Sequence, residues 1–319
     1  MCTQTRRASR LRTSVLGLAL GSLASLLGSA DLLLLVGLAG PAAAVLVPSV
    51  AAAEAETAQS LIEAGQRKFQ AGDFAGAVAA FSRAQVLSPR DATPLFLRGS
   101  AQQRLGKLAE AEADLRAALR LDPKLPNAFE IKAELAAILT DSKRPKDAAE
   151  LLEQLVRDRP DHFDSLYNLG LAREALQDFA AAAAVYARAV SKKPTEIDAR
   201  VRLIESLRKA GRYAEALTAG KEALTLAQRL SASANVQAGI LDELGLAQRR
   251  LGDLKTAEAS FRSALAQAPT LHGIRLHLAT TLAAAGRCPD ALREAASLPS
   301  AAPFAAPVAK LRTDCAAKK

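Results

Sequence analysis

Three histidines, three cysteines and many carboxylates are the side chains of this 319-residue sequence that could do chemistry. His272 and His277 lie five apart, about 140° around a helix, whereas a zinc-binding pair on one helix face sits four apart. Neither has a cysteine or carboxylate at metal-ligand spacing, so both read as surface or partly packed imidazoles, and no metal site is expected. His162 stands between Asp161 and Asp164. That trio has the atoms to hold a cation weakly, but such residues also cap helix starts, which is the simpler role. No G-x-S-x-G elbow occurs, no glycine-rich phosphate loop follows a strand, and no C-x-x-C pair exists. No pair of carboxylates is set apart from the rest, so the expectation is a non-enzyme with no catalytic residue and no cofactor. Cys288 and Cys315 are the pair left once Cys2 is set aside with the N-terminal segment. In an oxidising compartment they are a candidate disulfide that pins the last helix to the end of the fold; two unrelated buried thiols are the alternative.

The elements that position these residues are set by a repeat. Gly170, Ala182, Tyr186, Ala189 and Pro194 follow one another at gaps of 12, 4, 3 and 5. The same gaps separate Gly65, Ala77, Phe81, Ala84 and Pro89, then Gly99, Ala111, Leu115, Ala118 and Pro123, then Gly245, Ala257, Phe261, Ala264 and Pro269. A period near 34 residues signals a stacked array of helix–turn–helix units, none of which buries its apolar face alone. Gaps of 4 and 3 place a bulky knob between two small residues on one helix face. The small residue of the preceding helix makes room for that knob. Gly72-Asp73, Gly106-Lys107, Gln177-Asp178, Gly211-Arg212 and Gly252-Asp253 mark the turns within the pairs, and each proline closes a pair. Alternation of period two is missing, so the fold class is all-α.

These residues resemble the tetratricopeptide repeat family over about residues 58–303. The resemblance implies a right-handed α-solenoid of about seven helix–turn–helix repeats: 58–91, 92–125, 126–162, 163–196, 197–230, 238–271 and 272–303. The third repeat carries three extra residues, assigned to the turn within Thr140 to Lys146, with Ala133 taken as the small residue. The fifth departs most, with Ile204 for the small residue, Gly220 for the knob and Gln228 for the proline, and Ser231 to Gln237 are seven further residues. The family's tryptophan is absent. In proteins similar to this family the first helix of each pair lines the concave wall, so the partner-binding residues expected by phase are Phe69, Phe96, Arg104, Glu130, Glu134, Tyr167, Glu174, Arg208 and Arg249. The basic clamp by which some members hold a carboxyl-terminal tail is missing, since Gln66, Phe69, Ser100 and Gln103 stand at its positions. The partner implied is an extended or helical protein segment with both signs of charge.

Half of the residues are apolar and only 4% aromatic, so the core is expected to be alanine and leucine. Residues 1–53 form a different regime: Arg6, Arg7, Arg10 and Arg12, an apolar run from Val15 to Ala30, Asp31, and a second run to Ala53. Ala51-Ala52-Ala53 fits signal-peptidase cleavage, so the segment reads as an export signal and the array, 54–303, as periplasmic in a bacterium. The alternative is an uncleaved inner-membrane anchor, making the chain an assembly factor of an envelope or secretion machine. A weaker alternative is an accessory domain of an enzyme. Setting aside that segment's four arginines and one aspartate takes the formal net charge from +9 to +6. The basic residues are dispersed and have no aromatic stack beside them, so no nucleic-acid partner is expected. Residues 304–319 read as a connector and a capping helix.

Overall fold

The computed structural model describes residues 56–317, so the export-signal reading of residues 1–53 lies outside the described residues. They form fifteen helices with no strand among them. The first three pairs are α1 (Ala58–Gln70) with α2 (Phe74–Leu87), α3 (Thr93–Arg104) with α4 (Leu108–Leu121), and α5 (Ala128–Asp141) with α6 (Pro145–Asp158). Next come α7 (Phe163–Ala175) with α8 (Phe179–Lys192) and α9 (Ile197–Lys209) with α10 (Tyr213–Arg229). The array ends in α11 (Ala234–Arg250) with α12 (Leu254–Gln267), α13 (His272–Ala284) with α14 (Cys288–Ala296), and a single α15 (Ala305–Ala316). Each helix packs against the next in the chain.

The turn chemistry is the same in all seven pairs. A residue in the left-handed region ends the first helix: Gly72, Gly106, Gly211, Gly252 and Gly286 at φ between 74° and 84°, with Lys143 at 58° and Gln177 at 61°. The next amide then reaches back to the last turn of the first helix, as in Asp73 N–H to the Lys68 carbonyl and Asp178 N–H to the Arg173 carbonyl, both at 2.9 Å. Asp73, Asp178 and Asp253 also cap the second helix, their carboxylates accepting from the amides of Gly76, Ala181 and Thr256.

In the four pairs with glycine at the crossing, at Gly65, Gly99, Gly170 and Gly245, the fit is tight enough to exclude a Cβ. A methyl group on Gly170 would fall within 2.8 Å of three Tyr186 ring atoms, and one on Gly245 within 2.9 Å of three Phe261 ring atoms. Tyr186, Phe81 and Phe261 are the largest fully buried side chains, flanked by alanines with no exposed surface. In the fifth repeat the roles exchange: Ile204 is buried where the others have glycine or alanine, and Gly220 stands where they have the knob. The side chain of Leu244, from the following repeat, occupies the space over Gly220.

Two expectations about length are corrected. The third repeat's turn, Ser142-Lys143-Arg144, has the same length as the others, and Lys143 occupies the left-handed position. Its three extra residues lie earlier, two in the six-residue α4–α5 loop, where the loops before α7, α9 and α13 have four, and one in a 14-residue α5, which puts Ala136, fully buried, at the crossing while Ala133 is only half-buried. The seven residues Ser231 to Gln237 do not form a separate insert. They are absorbed by α10 and α11, both 17 residues long, because extending two packed helices satisfies every added amide where a loop would not. At the far end α15 buries Leu311 and Cys315 against α13 and α14, and Cys315 is disulfide-bonded to Cys288 with Cα atoms 5.4 Å apart.

Candidate functional site

First helices touch their counterparts one repeat away: α1 meets α3, α3 meets α5, α5 meets α7, α9 meets α11 and α11 meets α13. Second helices make no comparable contacts among the described residues. The first helices are therefore the closer-set row and form the inner wall, and the side chains that cross from one to the next decide what that wall offers.

Most of its polar side chains are committed to each other. The Ser100 hydroxyl donates to Glu134 at 2.8 Å, and Glu130 pairs with Arg159 at 3.1 Å. The Arg159 guanidinium in turn lies 3.8 Å from the Phe129 ring centroid. Tyr167 donates to Asp198 in the next repeat, its ring between those of Phe163 and Tyr186. Glu174 accepts from Ser206 at 3.0 Å and pairs with Arg202 at 3.3 Å. Arg208 makes two hydrogen bonds to Glu243, the shorter 2.5 Å, and His277 Nδ1 lies 2.7 Å from Asp242. These ties join residues 31 to 35 apart in five cases, so each links one repeat to the next.

Burial governs the protonation of this wall. It pushes the Glu134 carboxyl up to about 7 against the opposing pull of the Ser100 hydrogen bond and the Arg104 charge. Glu174 and Glu243 are raised for the same reason. Burial also raises the Tyr167 phenol, and the Asp198 carboxylate adds to the effect. The Tyr186 phenol is raised by burial first and by the Glu174 charge second, and its hydroxyl has no hydrogen-bond partner at normal distance among the described residues.

Of the nine residues expected on the wall, the structure thus ties Glu130, Glu134, Tyr167, Glu174 and Arg208 into inter-repeat contacts. Phe69 and Phe96 are half-buried and pack on core clusters, Phe69 edge-on to Phe74 at 5.2 Å between centroids. Arg104 and Arg249 are different. The Arg104 guanidinium lies 5.9 Å from the Phe69 ring centroid and makes no ion pair among the described residues. Arg249 donates to Thr280 Oγ1 at 2.7 Å and likewise has no ion pair there, and burial with the nearby Arg250 lowers its pKa. Sequence reasoning missed Asp198, Arg202, Ser206, Glu243 and Thr280. The available signal was complementary polar residues one repeat length apart on successive first helices. Among the described residues no three His, Cys, Asp or Glu side chains gather at metal-binding distance, and His162 Nδ1 caps α7 by accepting from the Ser165 amide at 3.2 Å. No helix of the described residues is long and apolar enough to cross a membrane.

Known proteins place this architecture. Family models described as tetratricopeptide repeat match residues 62–126 and 135–197, 196–270, and 249–315. Among solved structures, a tetratricopeptide repeat protein from Parabacteroides merdae is similar at 18% identity and a TM-score of 0.55, over 81% of this chain and 98% of that one. YrrB, described as a tetratricopeptide repeat protein with an unusual peptide-binding site, is similar at 20% identity and 0.53, over 65% and 98%. MamA from Desulfovibrio magneticus is similar at 23% identity and 0.51, over 55% and 97%. No curated protein matches. With the turn, knob and crossing geometry repeated along the array and the family models spanning most of it, the chain belongs to the tetratricopeptide repeat family.

Proposed function

We propose that this chain is a docking scaffold that holds a segment of another protein along the wall of first helices and does no chemistry of its own. The observation that carries the reading is the imbalance left on that wall: its carboxylates are consumed by neighbouring repeats, while Arg104 and the half-buried Arg249 have no carboxylate partner among the described residues. A half-buried guanidinium without an ion pair, as at Arg249, is costly, and a partner carboxylate offsets that cost, while the exposed Arg104 adds a charge free to pair. The segment expected is therefore acidic where it crosses Arg104 and Arg249. This narrows the mixed-charge partner expected from sequence. The unusual peptide-binding site described for YrrB supports this use of the architecture.

The setting we infer is the periplasm, with residues 1–53 as a cleaved export signal. The second reading keeps that segment as an inner-membrane anchor and makes the chain an assembly factor of an envelope or secretion machine. N-terminal sequencing of the native protein separates them: a start at Glu54 means release, and an intact N-terminus means anchorage. For docking, the test is co-purification of the native partner by the Arg104→Glu/Arg249→Glu protein. At least a tenfold loss of capture at unchanged helical content is expected, and full capture by that variant refutes docking on this wall. Neither substitution breaks an inter-repeat ion pair, and only Arg249→Glu removes an inter-repeat hydrogen bond, the one to Thr280, so unchanged helical content is the control for both.

A further inference from the structure

The face opposite the wall has one feature the docking scaffold does not use. Between α4 and α6, over the outward side of α5, lies a groove of about 630 Å³. It sits at the loosest junction between consecutive helices of the seven repeats, that of α4 with α5, where the third repeat carries its three extra residues. Leu119, Leu135, Leu139 and Leu151 provide its apolar floor. Arg116, Arg120, Lys132 and Arg144 stand around them, against the carboxylates of Asp147 and Glu150.

The charges at the rim are unevenly satisfied. Glu112 accepts from both Arg116 and Arg144 at 2.9 Å, and Arg144 also pairs with Asp147 at 2.5 Å. Arg120 and Lys132 have no ion pair among the described residues, and of the lining carboxylates only Glu150 is likewise unpaired, which leaves the balance positive. An apolar floor with excess positive charge at its edge is complementary to a surface that is apolar along one stripe and anionic beside it. The floor runs between residues of α4 and α6, both 14-residue helices about 21 Å long. An amphipathic helix lays its apolar stripe into a groove between helices, and the described residues contain no strand edge to which a partner strand could add.

We propose that this groove is a second docking site, independent of the inner wall, for an amphipathic helix of a partner protein whose apolar stripe is flanked by Asp or Glu. Apolar residues at i, i+3, i+4 and i+7 meet the leucines, and the flanking carboxylates meet Arg120 and Lys132. The site lies in the second and third repeats, so its occupant and the segment on the wall can bind at once.

The experiment uses the full chain and a fluorescein-labelled 14-residue peptide with leucines on one helical face and glutamates beside them. A counterpart has every glutamate replaced by lysine. Fluorescence anisotropy at 150 mM salt should show the glutamate peptide binding at least tenfold more tightly than the lysine peptide. Arg120→Glu/Lys132→Glu should weaken the glutamate peptide at least tenfold, and Arg104→Glu/Arg249→Glu should leave it unchanged. A photo-crosslinking residue at Gln154, which lines the groove, should form an adduct with the glutamate peptide. Equal binding of the two peptides overturns the proposal, as does loss in the wall variant rather than the groove variant. If phosphatidylglycerol vesicles bind in an Arg120- and Lys132-dependent way while the glutamate peptide does not, the groove faces a membrane surface and the helix reading falls.

Discussion

Replacing Gly170 with alanine tests the crossing that shapes every repeat. The added methyl would sit within 2.8 Å of three atoms of the Tyr186 ring, which is fully buried and has no room to swing aside. Overpacking of this kind costs about 1–3 kcal/mol, while alanine gains about 1 kcal/mol over glycine in a helix. The net expectation is a loss of up to about 2 kcal/mol. At Gly99 the same methyl meets the Leu115 side chain, at 2.9 Å from Cδ2 and 3.0 Å from Cγ, which yields where a ring does not, and the Ala111 carbonyl oxygen at 3.3 Å, a milder approach than those at Gly170. Gly99→Ala should therefore stay within about 1 kcal/mol of the parent. Replacing Tyr186 with leucine swaps the rigid ring for such a tip. In that background Gly170→Ala should cost at least about 1 kcal/mol less than it does in the parent, a coupling that a double-mutant cycle isolates. Urea unfolding followed by far-ultraviolet circular dichroism gives the four stabilities, with midpoints compared at equal slope because repeat arrays lose cooperativity readily. The reasoning is refuted if the two glycines respond alike, or if leucine at 186 brings no relief.

Gln177, at φ 61° where five other repeats have glycine, should be improved by Gln177→Gly, with a gain of a few tenths to about 1 kcal/mol in the same unfolding assay. The raised pKa of Glu134 means that the fold favours its protonated form. Its contribution is thus full below about 4.5 and lost as pH rises to about 7, by at most about 3 kcal/mol. Glu134→Gln should flatten the pH dependence of stability over that window, and an unchanged slope would place the titrating group elsewhere. Cys315→Ser opens a link between residues 27 apart and should destabilise the last repeat and α15 by up to about 3 kcal/mol. Faster hydrogen exchange confined to α13–α15 is the expected signature, and unchanged exchange there would show that the bond does not hold the cap.

The helices, turns and crossings were legible because their causes are local. A glycine facing an aromatic knob and an aspartate after a left-handed residue leave marks within a few positions of one another. The third repeat was misread because an alanine-rich helix offers several small residues at plausible phase. Ala133 and Ala136 differ in burial but not in type, and only the position of Lys143 fixes the register. The fifth repeat looked degenerate because Ile204 stands at the small-residue position and the space over Gly220 is filled from the next repeat by Leu244, a packing that leaves no local pattern along the chain. The wall was the least legible part. Glu174 and Arg208 look free in sequence because their partners, Ser206 and Glu243, stand 32 and 35 residues away.

Those cross-repeat ties bear on how docking and stability are linked. In a solenoid each repeat rests on its neighbours, so stability is a sum of local interfaces, and a weak interface opens without unfolding the rest. The inner wall places its charged and hydroxyl groups on those interfaces, as with Tyr167 on Asp198 and Arg208 on Glu243. A ligand that displaced them would have to replace hydrogen bonds the array already makes. One that engages Arg104 and Arg249 takes up guanidinium groups that make no ion pair among the described residues. Because those two residues lie in the second and sixth repeats, a single segment reaching both spans every interface between them, and its binding free energy is shared by the whole stretch as resistance to local opening. A scaffold with a thin alanine and leucine core gains more from such a bridge than one held by large aromatics, which gives a physical reason for the two arginines to stand far apart rather than together.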